Sequence, residues 1–304
     1  MDFKLIFKTV VTIGIFIFLS FFVDVKRVLL EIIDASPLFL LLAIVFQFLS
    51  TLLASYRWNI IMNILGFKER FIFYFKSYFK GSFFNQLLPS NIGGDAVRLL
   101  DLKAQGYGLK DSFFGIVIDR VFGILALVTL GIFAGFFAGD VIPHGLYLMI
   151  NYIFVGTILG VLVLTLYGKL KPMLNLKITA PIRDISKSFY LVFRDTRLFI
   201  IQFVYSLFVH IFAILSVFMI AKGVGIDQDA MLFLMLVPIV ILLMAIPISL
   251  AGWGIREGAM VGLFSLAGVS KELILSVSII YGFVVIVTIL PGFYYWLSDK
   301  KSIV

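Results

Sequence analysis

The sequence predicts an all-α polytopic membrane protein, with six full spans and two re-entrant helical hairpins in an inverted-topology repeat. Three observations predict it. Of 304 residues, 62% are hydrophobic and 14% charged, too apolar for a chain that must keep a hydrated surface. Six runs reach the roughly 20 apolar residues that cross a hydrocarbon slab as helix. A motif also occurs twice. Pro89-Ser90-Asn91-Ile92-Gly93-Gly94-Asp95-Ala96-Val97-Arg98 returns, degraded, as Pro247-Ile248-Ser249-Leu250-Ala251-Gly252-Trp253-Gly254-Ile255-Arg256. Proline, a small residue, glycine, a β-branched residue and arginine fall at matching places, at one offset (247 − 89 = 256 − 98 = 158).

The first span, about 4–23, follows Lys4 and Lys8 as a signal peptide would. No small-residue cleavage site comes after it, so it is expected to be retained. The second and third, about 37–62 and 112–139, flank an apolar stretch at about 71–95 that the first motif interrupts. The fourth, fifth and sixth, about 146–167, 199–221 and 273–297, repeat the pattern around a stretch at about 230–267 holding the second motif. Irregular backbone at membrane depth survives only where protein or a wet cavity satisfies it, so each interrupted stretch reads as a hairpin of two half-helices. Ile182, Ile185, Phe189, Val192 and Phe193 recur at helical spacing among Arg183, Lys187 and Arg194. That suits a basic amphipathic helix on the inner leaflet or an extension of the fifth span. Positions 97–110 read as another interfacial piece, with Gly106 and Gly108 limiting its helicity.

Charge sets the orientation. Arg57, Lys68, Arg70, Lys76, Lys80, Arg98, Lys103 and Lys110 lie between spans two and three. A second basic group lies between spans four and five, and Lys300 and Lys301 follow the last. The intervening segments at 24–34, 140–144 and 222–229 are acidic or nearly balanced. By the positive-inside rule both termini are expected in the cytoplasm, in a multi-pass protein of the cell membrane. The first repeat then covers 1–142, with its hairpin (71–95) entered from the cytoplasm. The second covers 143–304, with its hairpin (230–267) entered from outside. Same order with opposite direction is how many transporters are built, their sites lying between the repeats.

The net charge of +8 sits in short loops, as membrane orientation requires, so nucleic acid is not an expected partner. There is no cysteine, and His144 and His210 lack ligand-spaced companions; neither metal nor cofactor is expected. Gly-x-Ser-x-Gly, Gly-x-x-x-x-Gly-Lys and His-Glu-x-x-His are absent, and the chain is not expected to be an enzyme.

The candidate binding residues lie in and near the motifs. A half-helix starting after Pro89, with Ser90, Asn91, Gly93 and Gly94 at its head, offers backbone N–H groups to an anion, phosphate above all. Arg98 adds a planar fork suited to phosphate, and Asp95, three residues earlier, can orient it. After Pro247, the second copy offers Gly252, Trp253, Gly254 and Arg256, with Glu257 as its carboxylate. Asp119 and Arg120, adjacent in the third span, cannot share a helix face; Arg98 and Arg57 are the candidate partners of Asp119. Arg57-Trp58 itself reads as an interface anchor. Gly115, Gly123, Gly131, Gly135 and Gly139 form a ridge that, with Gly156 and Gly160, predicts close packing of spans three and four. His210 is expected to be a hydrogen-bonded packing residue, with a proton relay as the alternative, and Gln47, Asn85, Gln86 and Gln202 are polar candidates to line the same cavity.

Pro89–Arg98, Asp119-Arg120 and Pro247–Glu257 together resemble the lysylphosphatidylglycerol synthase transmembrane-region family, the flippase-like proteins. The resemblance covers nearly the whole chain. In multiple peptide resistance factors such a membrane part precedes a soluble aminoacyltransferase, and this sequence resembles a stand-alone member. Ser90 and Ala251 stand where the family often has glycine. What the resemblance implies is translocation of a lipid, without naming it. The expected function is therefore that of a flippase-like transporter moving an anionic phospholipid or a polyprenyl-phosphate-linked lipid between leaflets. The alternative is a non-transporting scaffold or regulatory partner of a lipid or glycan synthase, with its arginines bonded to carboxylates and no cavity. A homo-oligomer is compatible with either.

Overall fold

The computed structural model describes residues 3–87, 93–138, 143–167, 190, 192–246 and 248–301. Pro89, Ser90, Asn91 and Pro247 lie outside these, as does most of the expected amphipathic stretch before the fifth span. Among the described residues there are eleven helices and no strand. They are α1 (Phe3–Ser20), α2 (Val25–Ile33), α3 (Pro37–Ile64), α4 (Phe71–Leu87), α5 (Gly93–Ala104) and α6 (Leu109–Ala138). The rest are α7 (His144–Tyr167), α8 (Thr196–Gly223), α9 (Ala230–Met244), α10 (Ile255–Leu266) and α11 (Lys271–Lys301).

Local sequence explains the helix ends. Asp24, Asp195 and Asp229 precede α2, α8 and α9, and each carboxylate accepts from a first-turn N–H that the helix cannot itself satisfy. Pro37 opens α3, where its missing N–H costs nothing. The expected interfacial piece at 97–110 is not separate from the motif. Instead α5 continues from Gly93 to Ala104, and the chain turns at Gly106, whose φ of 88° suits glycine.

By length and composition α3, α6, α8 and α11 can each cross a membrane. α1 and α2 pass the same test as a pair, bent by 96°. α7 is a helix of 24 residues whose sequence is apolar along most of its length. Among the described residues four spans qualify outright, where six were expected. The stretch at 230–267 holds the packed helix pair α9 and α10, whereas 71–95 holds α4 and only the start of α5, which packs on α4 but continues to Ala104.

The packing follows a pattern. α3 lies along α8 in the most extensive helix contact among the described residues. Exchanging α3, α4, α5 and α6 for α8, α9, α10 and α11 returns the same neighbours: α4–α11 becomes α9–α6, and α3–α11 becomes α8–α6. α1, α2 and α7 stand outside the exchange, lying on α10, α11 and α6 respectively.

The larger apolar core joins α6, α8, α9, α10 and α11 around Phe233, Phe264 and Ile220. A smaller one, around Trp58, Met62, Tyr74 and Leu102, knits α3, α4, α5 and α6. Phe21, Phe136, Phe137 and Tyr152 point outward, as lipid-facing residues would. Lipid is as apolar as leucine, so helix association here relies on close approach and buried hydrogen bonds. Gly131 and Gly135 of α6 receive the rings of Phe154 and Tyr147 from α7. The expected two-sided glycine seam is one-sided, because Gly156 and Gly160 face open space.

Candidate functional site

α4 and α5 meet backbone to backbone. A Cβ on Gly94 would run into the carbonyl of Gly81, and one on Gly81 would come within 2.8 Å of the Gly94 carbonyl. The Gly94 N–H donates to Asn85 Oδ1 at 2.7 Å. That corrects one expectation: this N–H is not left open for an anion, and the glycine serves the helix crossing. The crossing fixes the start of α5, and hence the direction of the side chains that follow.

Asp95 lies in the first turn of α5, where the helix dipole favours a carboxylate, and Arg98 lies one turn on. The Arg98 guanidinium sits between two rings, 4.0 Å from the Trp58 centroid and 4.7 Å from that of Tyr78. Its Nη2 donates to Asp119 Oδ2 at 3.0 Å and its Nη1 to Asp95 Oδ1 at 3.3 Å. Asp119 gives its other oxygen to Arg57, whose Nε donates at 2.8 Å, while Arg57 Nη1 donates to Ser206 Oγ at 3.0 Å. Asp95 gives its other oxygen to Arg120. Arg57 and Arg98 were both weighed as partners of Asp119, and the carboxylate is divided between them.

Arg57, Arg98 and Asp119 are 4%, 5% and 1% exposed. Arginines this deep are tolerated because each carboxylate neutralises two of them in turn. Arg57-Trp58 is therefore no interface anchor; Trp58 is fully buried and forms one face of the Arg98 slot.

These residues surround space. A cavity of about 180 Å³ is lined by Arg57, Tyr78, Ser82, Asn85, Asp95, Arg98, Asp119 and Arg120, with Gly81 behind. Beside it runs a second space of about 400 Å³, lined by Ala96, Leu99, Phe113, Ile116, Val117 and Ala245. Asp95 and Arg120 line both. A polar, positively charged chamber thus shares a wall with an apolar groove.

The second motif is built differently. Glu257 Oε2 accepts from the Gly254 N–H at 2.6 Å, which caps α10. Glu257 Oε1 accepts from Arg256 Nη2 at 2.6 Å, from Arg256 Nε at 3.0 Å and from Ser278 Oγ at 3.1 Å. Arg256 stacks 4.4 Å from the Trp253 ring, and both pass over Gly282, where a Cβ would meet them. Of the donors that the sequence offered to a phosphate here, the Gly254 N–H and two nitrogens of Arg256 are occupied by the protein's own carboxylate. Gly252, Trp253, Gly254, Arg256 and Glu257 do not line the cavity of the first motif.

Two motifs of one spacing, each with a buried arginine stacked on tryptophan, are matched over the chain as a whole. Residues 5–292 match the family described as the lysylphosphatidylglycerol synthase TM region. The chain belongs to this family. It is 22% identical to a UPF0104 membrane protein of Methanothermobacter thermautotrophicus, over 88% of this chain and 85% of that one. Another UPF0104 membrane protein of that organism is 24% identical over 78% of each chain. One from Methanocaldococcus jannaschii is 26% identical over 56% of this chain and 52% of its own.

One departure from the lysylphosphatidylglycerol synthase TM pattern has a visible cost. Ala251, where glycine was expected, is held at φ 49°, in the left-handed region. Ala251→Gly is expected to stabilise the protein by about 0.5–1 kcal/mol, the relief of strain exceeding the added chain entropy. Thermal unfolding in detergent reads this out; an unchanged or lower midpoint would count against it.

Of the polar candidates, Asn85 lines the cavity and caps Gly94, whereas Gln47 accepts from the Tyr281 hydroxyl at 3.0 Å. Gln202 is buried away from the cavity, with neither amide atom bonded. His210 packs across Gly123 from Arg57, in keeping with a packing role. Sequence reasoning missed Tyr78, Ser82, Ser206 and Ser278, ordinary residues with no spacing signal. It also read Lys80 only as one of the charges between spans two and three, whereas it is buried and donates to Asp101 Oδ1 at 2.8 Å and Asp299 Oδ2 at 2.7 Å.

Proposed function

We propose that the protein carries an anionic lipid between the leaflets of the cell membrane. The headgroup enters the cavity of Arg57, Arg98 and Arg120, and the chains stay in the groove beside it. One observation supports this reading above the others: the polar cavity and the apolar groove share Asp95 and Arg120, the arrangement an amphiphile needs. Guanidinium forks bind phosphate oxygens with short, charge-assisted bonds, and a half-buried site strengthens them.

In this reading six segments span: α1 with α2, then α3, α6, α7, α8 and α11. The pairs α4–α5 and α9–α10 are re-entrant hairpins from opposite leaflets, with both termini cytoplasmic. The exchange symmetry of the helix contacts supports the inverted repeat, as does the placement of basic loops. Lipid is moved unchanged, so no chemistry on it is invoked. The headgroup reaches the Gly254 N–H and Arg256 only where Glu257 releases them. That closed second cluster is what favours the alternative, a scaffold partnered with a lipid or glycan synthase or with itself.

Reconstitution into vesicles with fluorescent headgroup-labelled anionic lipid separates the two. Transport predicts translocation well above protein-free vesicles, falling at least about tenfold for Arg98→Gln as a bidentate contact is lost. Equal rates for the parent protein, the variant and empty vesicles would leave the scaffold reading standing.

A further inference from the structure

We infer that α2 lies flat in the membrane plane, seated on the lipid of the leaflet at which α3 and α11 begin. The partner of its exposed apolar stripe is the boundary between headgroups and acyl chains. This contact is separate from the lipid-carrying role proposed above and does not depend on it.

α1 has 18 residues, about 27 Å at 1.5 Å per residue, close to the roughly 30 Å of a hydrocarbon slab. α2 adds nine residues after a bend of 96°. A helix at a right angle to one that has already crossed runs along the surface. Within the first span, α1 alone therefore makes the crossing.

The level of α2 follows from its neighbours. Only Asp34 and Ala35 separate it from Ser36, whose N–H donates to the Gly223 carbonyl at the end of α8 at 2.9 Å. Ser276, in the second turn of α11, donates to the Val28 carbonyl of α2 at 3.2 Å. The start of α3, the end of α8 and the first turns of α11 thus meet α2 at one level. These three helices are long and apolar enough to cross a membrane, so their common ends mark its boundary. Lys222, Asp227, Asp229, Lys271 and Glu272 gather beside those ends, as charged residues at a membrane surface do.

α2 has three faces. Val28 is buried and Ile32 packs on the larger core, so this pair faces the protein. Val25, Leu29 and Ile33, spaced by four, form a second stripe, and each is more than half exposed. Arg27 and Glu31 form a third, paired at 3.6 Å. At about 100° per residue the apolar and charged stripes lie on opposite sides, with the protein face at right angles to both. Lys26 borders the apolar stripe, where its stem can lie on lipid while the ammonium stays in water. Apolar below, charged above and protein at the side is the arrangement of an interfacial helix. Surrounded by water, the apolar stripe would cost about 25 cal/mol per Å²; inside the slab, the charged stripe would be stranded.

The hold is apolar. α2 with its two caps carries Lys26 and Arg27 against Asp24, Glu31 and Asp34, a sum of 2 − 3 = −1. Basic surface helices draw on anionic headgroups, and this one has no net positive charge with which to do so.

The full chain has no cysteine, so single spin labels can be placed on it. Val25→Cys, Leu29→Cys, Ile33→Cys and Arg27→Cys change exposed side chains, and any two of the three stripe positions suffice. Val10→Cys and Ile17→Cys on α1, also exposed, serve as the ruler; seven residues along a crossing helix differ in depth by about 10 Å. In phosphatidylcholine vesicles the labels at 25, 29 and 33 are expected to relax with oxygen, which concentrates in hydrocarbon, and to report one depth. The label at 27 is expected to relax with a water-soluble nickel complex. A helix that continued the span would set labels 25 and 33 about 12 Å apart in depth, and that result overturns the inference. Nickel access at 29 and 33 overturns it too, since α2 would then stand in water. So does spin–spin broadening between labels, which would put a second copy of the chain on the stripe. Replacing part of the lipid by phosphatidylglycerol is expected to leave every depth unchanged; deeper seating would overturn the purely apolar hold.

Discussion

Asp119→Ala is expected to lower the unfolding free energy by about 3–5 kcal/mol, the range for removing one partner of a buried ion pair. The upper end is the better guide, because two guanidiniums depend on this one carboxylate. Arg57 Nε and Arg98 Nη2 each donate to a separate oxygen, and all three side chains are buried. Neither arginine gains an equivalent acceptor when the carboxylate leaves. Domains are typically stable by only about 5–15 kcal/mol, so much of the margin would go. The double variant Arg57→Met with Asp119→Ala should recover part of the loss, since one orphaned charge is then absent. Denaturant titration in mixed micelles measures both. A loss below about 1 kcal/mol for Asp119→Ala would mean that water already reaches these charges.

Glu257→Ala should cost a similar 3–5 kcal/mol by the same rule, but for a different assembly. It removes the cap from the Gly254 N–H, the acceptor for two nitrogens of Arg256 and the acceptor for Ser278. Binding of anionic short-chain lipid by the folded fraction is expected to stay within about twofold, since Glu257 lies outside the cavity lining. Equilibrium binding beside the unfolding curve distinguishes the two roles. A large gain in anion affinity would instead show that Glu257 normally competes with a ligand at that place.

The broken helices were legible because proline and paired glycines are rarely found in apolar runs, and because two matched copies are harder to dismiss than one. Asp95, Arg98, Asp119 and Arg120 were legible for a related reason: intramembrane charge needs a partner. Arg57 was read two ways, as an interface anchor and as a candidate partner of Asp119, because an arginine near the end of an apolar run has the same pattern whether it reaches for headgroups or turns inward. The choice is made by Asp119, on another helix, which no local window contains. The spacing Gly254-x-x-Glu257 puts a carboxylate where it can accept from the N–H of the residue before the helix, and could have warned that the second motif closes on itself. The bend between α1 and α2 lies at Ser20–Asp24, where the composition stays apolar until the aspartate, so a simple span was the natural reading. Tyr78 and Ser82 had no signal at all, since their role comes only from the face that α4 turns toward α5.

Lys80 gives the molecule a stiff side and a soft one. Its ammonium ties α4 to α5 through Asp101 and to the end of α11 through Asp299. Gly292 presses α11 against the Phe79–Lys80 backbone at the same level. Prising these three helices apart strands a cation in a dry place, which makes that flank the costly one to open. On the opposite flank the groove is closed toward α9 by Ala245, a methyl group with no bond to break. Parting the wall at Ala245 therefore breaks no ion pair of that residue, whereas parting it at Lys80 breaks two.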